Sequence, residues 1–395
     1  MAPSNPVSTK FAIKCVRVFD GERFGEPTTV AIDNGLICGD VEDAEEVDGR
    51  GGFLLPGFID AHIHLQDEED LHQMVKYGVT TGLDMATWPA SKLNALRGRV
   101  GLTDIRSPGV PATCQGSIHS RLLPIPKECL MAGPEDAAQF VANRVSEGAD
   151  YIKIICDVPG PDQATLNALV VAAHEQNLLV IAHASAYTPF AMAQEAKVDV
   201  VTHAPYDKAL DDQIVQRMVA DRRISVPTLT MMEGIMKPPS LSAVLRLLLR
   251  PSAFLAIVQA RRKDPHGQGK KYEYARDSVS AMYRAGVPIL AGTDANSVAG
   301  SPFKVVHGDS LHHELELLVE AGFSTVDALR AATSLPAKHF RLDDRGIVEI
   351  GRRADLVLLA EDPTLDIRAT RSIQRVWCGG VEVARPQGGT DGAAF

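Results

Sequence analysis

Residues 151–157 read YIKIICD, an apolar run with a lysine at its centre. Tyr151, Ile152, Ile154 and Ile155 suit a buried β-strand. An apolar run with no polar face marks a strand covered on both sides, as in a parallel sheet wrapped by helices. Seven further runs of this kind recur: LLPGFIDAHIHL (54–65), VTTGLDMA (79–86), VPATCQGS (110–117), LLVIAHAS (178–185), VDVVTHA (198–204), ISVPTLT (224–230) and VPILAGTDA (287–295). Helix-like segments separate most of them, among them ATLNALVVAAHEQN (164–177) and LDDQIVQRMVADRR (210–223). Eight β–α alternations over roughly 250 residues predict an α/β fold, a closed (β/α)8 TIM barrel. A doubly wound open sheet is the rival. The G-x-G-x-x-G loop that would favour it follows none of the strands.

Both ends of the chain have a different texture. Residues 10–56 and 344–385 are short strand-like runs punctuated by Gly and Asp, as in antiparallel hairpins. They predict a small β-sandwich domain built from residues 1–56 and 344–395 beside a barrel over residues 57–343. With 395 residues there is enough chain for one large core and a smaller domain.

The charge balance, 40 basic against 50 acidic residues, gives no bias toward nucleic acid or an anionic membrane. No apolar run approaches the length of a transmembrane helix, and the N-terminal residues lack the apolar core of a signal peptide. The six cysteines are scattered with no C-x-x-C pair. The expectation is a reduced, cytoplasmic protein that meets a small-molecule substrate, with no nucleic-acid or membrane partner.

Catalytic groups of such barrels project from the C-terminal ends of the strands. Those ends carry one polar set: His62 and His64 on the first, Lys153 on the fourth, His183 on the fifth, His203 on the sixth and Asp294 on the eighth. Strand side chains alternate, so the two histidines of H-x-H point the same way and can aim at one cation. Alone, each histidine is more simply a hydrogen-bonded rim residue. As a set on the ends of five different strands, they suit a divalent metal held by nitrogen and carboxylate, Zn²⁺ foremost, with Mn²⁺, Co²⁺ and Fe²⁺ as substitutes.

Lys153 as a cation would repel that metal and lose hydration. Without its proton it becomes a nucleophile that can add CO2. The resulting carbamate has two oxygens and one negative charge, and can bridge two metal ions. The bland alternative is an ammonium that reaches water at the barrel rim.

With PGFIDAHIHL (56–65) and the order H-x-H, Lys, His, His, Asp, the chain resembles the metal-dependent amidohydrolase superfamily in its binuclear, carboxylated-lysine subtype. TSLPAKHF (333–340) and GIVEIGRRADLVLLAEDP (346–363) resemble the family's return into its β-domain. VPTLT (226–230) and HHELELLVEAGFSTVDALRAAT (312–333) resemble the branch of imidazolonepropionase-like, prolidase-like and ochratoxin-hydrolysing members. Two departures stand at the mouth: Cys156-Asp157-Val158-Pro159-Gly160 where relatives often carry Ser-Gly-Gly, and Ala204-Pro205 where glycine often follows the histidine.

The resemblance implies two divalent ions, one held by His62, His64 and Asp294, the other by His183 and His203, with carboxylated Lys153 between them. It implies cleavage of an amide bond in a small molecule, such as an N-acyl amino acid, dipeptide or cyclic amide. A metal-bridging hydroxide would attack, with Asp294 as general base and acid. His119, in SIHSR, would donate to the oxyanion. Tyr206 and His307 lie at the substrate end of the barrel. Relatives often form homo-oligomers. The segment 231–275 reads as a helical excursion over the pocket, with Arg246, Arg250, Arg261, Arg262 or Lys263 available to an anionic substrate. A lactonase or esterase on the same centre is the nearest alternative. A deaminase is opposed by Lys153, and a non-catalytic assembly protein by the complete ligand set.

Overall fold

The computed structural model describes residues 10–236, 269–297 and 305–384. The two ends of the chain meet in one eight-stranded sheet. Its first part is β1 (Phe11–Val18), β2 (Thr28–Asp33), β3 (Leu36–Cys38), β4 (Glu45–Asp48) and β5 (Phe53–Pro56). The first half of β1 pairs with β2 and β4. Its register shifts between Ile13 and Val16, around Cys15 at φ +54°, and its second half pairs with β5. A bulge of this kind bends a strand and lets it serve two neighbours. Phe11, Ile13, Val30, Ile32, Leu54, Leu356 and Trp377 share one apolar cluster between these strands and those of the C-terminal part.

The chain enters the second unit through Gly57. A side chain there would collide with Thr80. Then follow the parallel strands β6 (Phe58–Ile63), β7 (Val79–Asp84) and β8 (Asp104–Arg106). A short pair, β9 (Thr113–Cys114) and β10 (Leu130–Met131), lies at the mouth of the third run. A second parallel set, β11 (Ile152–Ile155), β12 (Val180–His183), β13 (Val200–Thr202) and β14 (Ile224–Val226), comes next. Parallel bridges join the sets: Ala112 to Ile154, Ser225 to Ile289, and Ile63 to Ala295. Ala61 N–H donates to Ala291 O at 2.9 Å and His64 N–H to Ala295 O at 2.8 Å, so the eighth run returns to the first. The result is a TIM-barrel-like α/β fold. The terminal sheet is completed by β15 (Leu356–Leu359), β16 (Ile373–Cys378) and β17 (Val381–Glu382), with β15 antiparallel to β5.

The third run starts earlier than its apolar stretch suggests. Asp104 and Arg106 in β8 interrupt hydrophobicity, but both are paired through space: Arg106 with Asp104 at 2.9 Å, and Asp104 with Arg345 at 2.8 Å. The eighth run is irregular, touching its neighbours by bridges rather than a continuous ladder.

Period-two alternation sorts the side chains. On β11, Ile152 and Ile154 join the large core under the helices, while Tyr151 belongs to the barrel interior. Lys153, two positions on, therefore points inward with Tyr151. Ile181 and Val200 mark the same inner face on β12 and β13, so His183 and Thr202 also face in. Most of the 231–275 excursion, including Arg246, Arg250, Arg261, Arg262 and Lys263, lies outside the described residues. Among the described residues, no helix is long and apolar enough to cross a membrane.

Candidate metal centre

The inward faces bring the polar set together at the C-terminal ends of the strands. His62 Nε2 is 3.2 Å and His64 Nε2 is 2.8 Å from Asp294 Oδ1. The rings of His62 and His203 are 4.8 Å apart, and those of His183 and His203 are 4.4 Å apart. Lys153 Nζ donates to Thr202 Oγ1 at 2.9 Å, and the residue is only 4% exposed. Its ammonium does not reach water at the rim, so the bland reading of Lys153 fails.

Backbone conformation assists this convergence. Strand alternation would send His203 outward once Thr202 faces in. His203 adopts φ +75°, which turns its ring inward beside His183. Asp294 at φ +60° and Thr228 at φ +50° are equally unusual for non-glycine residues. Such strained positions cluster at functional sites. Gly292 lets the eighth run pass close to the first, since a Cβ there would lie 2.9 Å from His62 N.

A second ring of residues holds the first. Asp60 accepts hydrogen bonds from His62 N–H and Thr293 N–H, both at 3.1 Å, and from Thr293 Oγ1 at 2.7 Å. It thereby ties the H-x-H strand to the run that carries Asp294. His203 Nδ1 pairs with Thr228 Oγ1 at 2.8 Å, leaving Nε2 for the interior. His307 is buried. Its Nδ1 lies 3.3 Å from Asp70 Oδ1 and its Nε2 bonds His64 O at 3.0 Å. With both nitrogens engaged, His307 braces the H-x-H loop and has no free atom for a substrate. Tyr206 is partly buried, with its N–H donating to Ser185 O at 3.1 Å.

His119 Nδ1 is 2.6 Å from Asp157 Oδ2, and Asp157 Oδ1 is 3.8 Å from His183 Nε2. His119 thus joins the group by way of Asp157. The sequence reading noted Asp157 only as a departure from Ser-Gly-Gly. Its position four residues after Lys153, just past the end of β11, was the available signal. Thr202, Thr228, Asp60 and Asp70 carried none, because their roles depend on partners distant in sequence.

Burial dominates the protonation of this cluster. It pulls Lys153 down to about 7, with Asp294 opposing. Burial, reinforced by Lys153, pulls His62 to about 3. Burial and neighbouring histidines also hold His183 and His203 well below the usual range. Burial would raise Asp294, but His62 and His64 outweigh it and keep the carboxyl well below its ordinary value. Asp294 is therefore held as an anion, and His62, His183 and His203 as neutral imidazoles.

This electronic state fits a divalent metal, which needs neutral histidine and ionised carboxylate. Asp294 Oδ1 is buried and makes no hydrogen bond despite its two near imidazoles, and His62 Nδ1 is also without a partner. Ligand atoms of His62, His64 and Asp294 lie within 4.8 Å of one another, as do those of His119, Asp157 and His183. Polar atoms converging without hydrogen bonding one another are arranged for something else to bind.

The barrel's strand ends thus carry a set of histidine and aspartate side chains that could hold a metal ion. Residues 53–383 match the sequence profile of the Amidohydrolase family. The chain belongs to that family and is an enzyme of the hydrolase class. An uncharacterised protein of Mycobacterium tuberculosis is 27% identical over 372 residues, covering 86% of this chain and 88% of that protein. The fold is shared with a Xaa-Pro dipeptidase solved with methionine in its active site. That comparison has TM-score 0.75 and 21% identity, over 95% of this chain and 100% of that one. It is shared also with A. niger ochratoxinase, at TM-score 0.69 and 20% identity, over 94% of this chain and 95% of that one.

Proposed function

We propose that this chain hydrolyses an amide bond in a small molecule, such as an N-acyl amino acid, a dipeptide or a cyclic amide, at a binuclear metal centre. One observation carries the reading: Lys153 is buried among His62, His183, His203 and Asp294 with a single neutral hydrogen-bond partner. Among the described residues no carboxylate makes an ion-pair contact with it, and a buried lysine without one is costly unless it is chemically modified. As a carbamate it would add a second anionic ligand to the one Asp294 already supplies. The names of the dipeptidase and the ochratoxinase among the similar structures support amide chemistry within the prolidase-like branch.

His62, His64 and Asp294 would hold one ion and His183 and His203 the other, with Lys153 shared. Zn²⁺ is the first candidate for this donor set. Bound divalent ions would supply Lewis acidity and lower the pKa of water toward neutrality. The remaining work falls to the chain. Asp294, kept anionic, accepts the proton of the attacking water and returns it to the departing nitrogen. Asp157 accepts from His119 Nδ1 and fixes the ring; as an imidazolium, His119 would donate from Nε2 to the carbonyl oxygen as charge develops there. Tyr206, beside His203, is the substrate-facing candidate. His307 orients His64 from behind. In this reading the described residues within 57–343 form the catalytic barrel. The described residues within 1–56 and 344–395 form a β-sandwich that packs against it, and the enzyme acts as a cytoplasmic homo-oligomer.

The test is a hydrolysis screen of N-acyl amino acids, dipeptides, cyclic amides and lactones, using protein supplied with divalent metal and bicarbonate. Chelator-sensitive amide turnover is expected. Turnover of lactones alone would replace the amidase reading with an esterase.

A further inference from the structure

The hydroxyl of Thr202 has a defined direction. Its oxygen accepts from Lys153 Nζ at 2.9 Å, while its own proton goes to Ala182 O at 3.0 Å. Both partners are fixed: Ala182 is in β12, and Lys153 faces in from β11. Thr202 is itself buried in β13, one residue before His203. A hydroxyl whose proton is committed can only accept from the lysine. It cannot also donate to whatever forms on that nitrogen.

We infer that Thr202 is a positioning residue that holds the Lys153 nitrogen for carbamate formation. The inference rests on the reading of Lys153 as a carbamate. In that step the lone pair of the neutral amine forms an N–C bond to CO2. A C–O π pair moves onto oxygen, and one N–H proton leaves to solvent or bicarbonate. The product nitrogen keeps one hydrogen. That hydrogen is the one Thr202 Oγ1 accepts, so the same bond serves the amine before the reaction and the carbamate after it. Because Thr202 donates to Ala182 and not to the carbamate, both new oxygens remain free to ligate metal. Threonine suits the position because its hydroxyl accepts from Nζ and its methyl fills the apolar side of a strand residue. Valine keeps the shape and removes the acceptor.

The experiment compares wild type, Thr202→Val and Thr202→Ser, each freed of metal and then exposed to ¹³C-bicarbonate with Zn²⁺. Two quantities are read: the carbamate ¹³C signal, and bound metal per chain against bicarbonate concentration. Thr202→Val should need about tenfold more bicarbonate for half-maximal metal uptake, the effect of one hydrogen bond. Thr202→Ser should follow wild type. If valine does not fold at this site, as judged by circular dichroism, Thr202→Ala takes its place. Carbamate signal and metal uptake in the valine or alanine variant equal to wild type would overturn the role of Thr202 and leave the carbamate intact. A wild-type protein that binds two ions with no carbamate signal would remove the carbamate reading, and this inference with it.

Discussion

The barrel carries buried charge at both ends, and the two ends treat it differently. At the N-terminal end Arg345 is 5% exposed. It reaches Asp104 Oδ2 at 2.8 Å, Thr81 Oγ1 at 2.9 Å and Asp344 Oδ1 at 2.8 Å. Asp355 in turn binds Arg353 at 2.9 Å and Gly379 N–H at 2.7 Å. At the C-terminal end Asp294 Oδ1 and His62 Nδ1 have no hydrogen bond, and Lys153 has one neutral partner. One end is saturated, so its charges hold the terminal sheet to the barrel. The other end is left open, so its charges are available to a metal and a substrate. Burial alone does not separate structural from functional charge; the completeness of pairing does.

The sharpest break between the two ends should come from Asp294→Asn. It should lower kcat by roughly 10²–10⁴-fold, the range of a lost general acid–base. The variant should remain folded by circular dichroism. Wild-type turnover in a metal-loaded Asn variant would remove Asp294 from the proton transfer.

The mirror experiment is Arg345→Met. It removes the nearer buried cation from Asp104, which keeps only Arg106, while Asp355 keeps Arg353; breaking a buried pair costs up to about 3–5 kcal/mol. The midpoint of urea unfolding should fall, while kcat per folded molecule stays at the wild-type value. A drop in kcat without loss of stability would show that the two ends are not separable.

Glu314, in helix Asp309–Glu320, is an intermediate case. It is buried and accepts from Leu229 N–H at 2.9 Å, Thr230 N–H at 2.7 Å and Thr230 Oγ1 at 2.8 Å. It thus holds the start of helix Leu229–Met236, next to the Thr228 that orients His203. Burial raises its carboxyl from 4.5 to about 7, opposed by those hydrogen bonds. The folded state therefore holds a proton that the unfolded state releases near its ordinary value. Its effect on stability is absent below that value, grows unfavourable as pH rises through the window, and is complete above about 7. The deficit is on the order of 3 kcal/mol. Urea unfolding at pH 5 and pH 8 should show this decline in wild type and a smaller one in Glu314→Gln. Equal pH dependence in the two proteins would contradict the assignment.

Most of the fold was legible because parallel strands buried on both faces leave long apolar runs. The metal-ligand candidates were legible because the H-x-H pair and the later Lys, His, His and Asp each end such a run. What escaped notice depends on pairing through space. β8 was hidden by Asp104 and Arg106, which pair with each other, and Asp104 is also met by Arg345 more than two hundred residues later. The inward turn of His203 depends on a backbone φ that no residue type announces. Asp157 read as a missing Ser-Gly-Gly until His119 stood beside it.

The central claim concerns the lysine at the open end. A crystal structure of active protein, loaded with divalent metal in bicarbonate, tests it most directly. The account predicts a carboxylate built on Lys153 Nζ and lying between two metal peaks. An unmodified amine in a fully loaded, active crystal would contradict it.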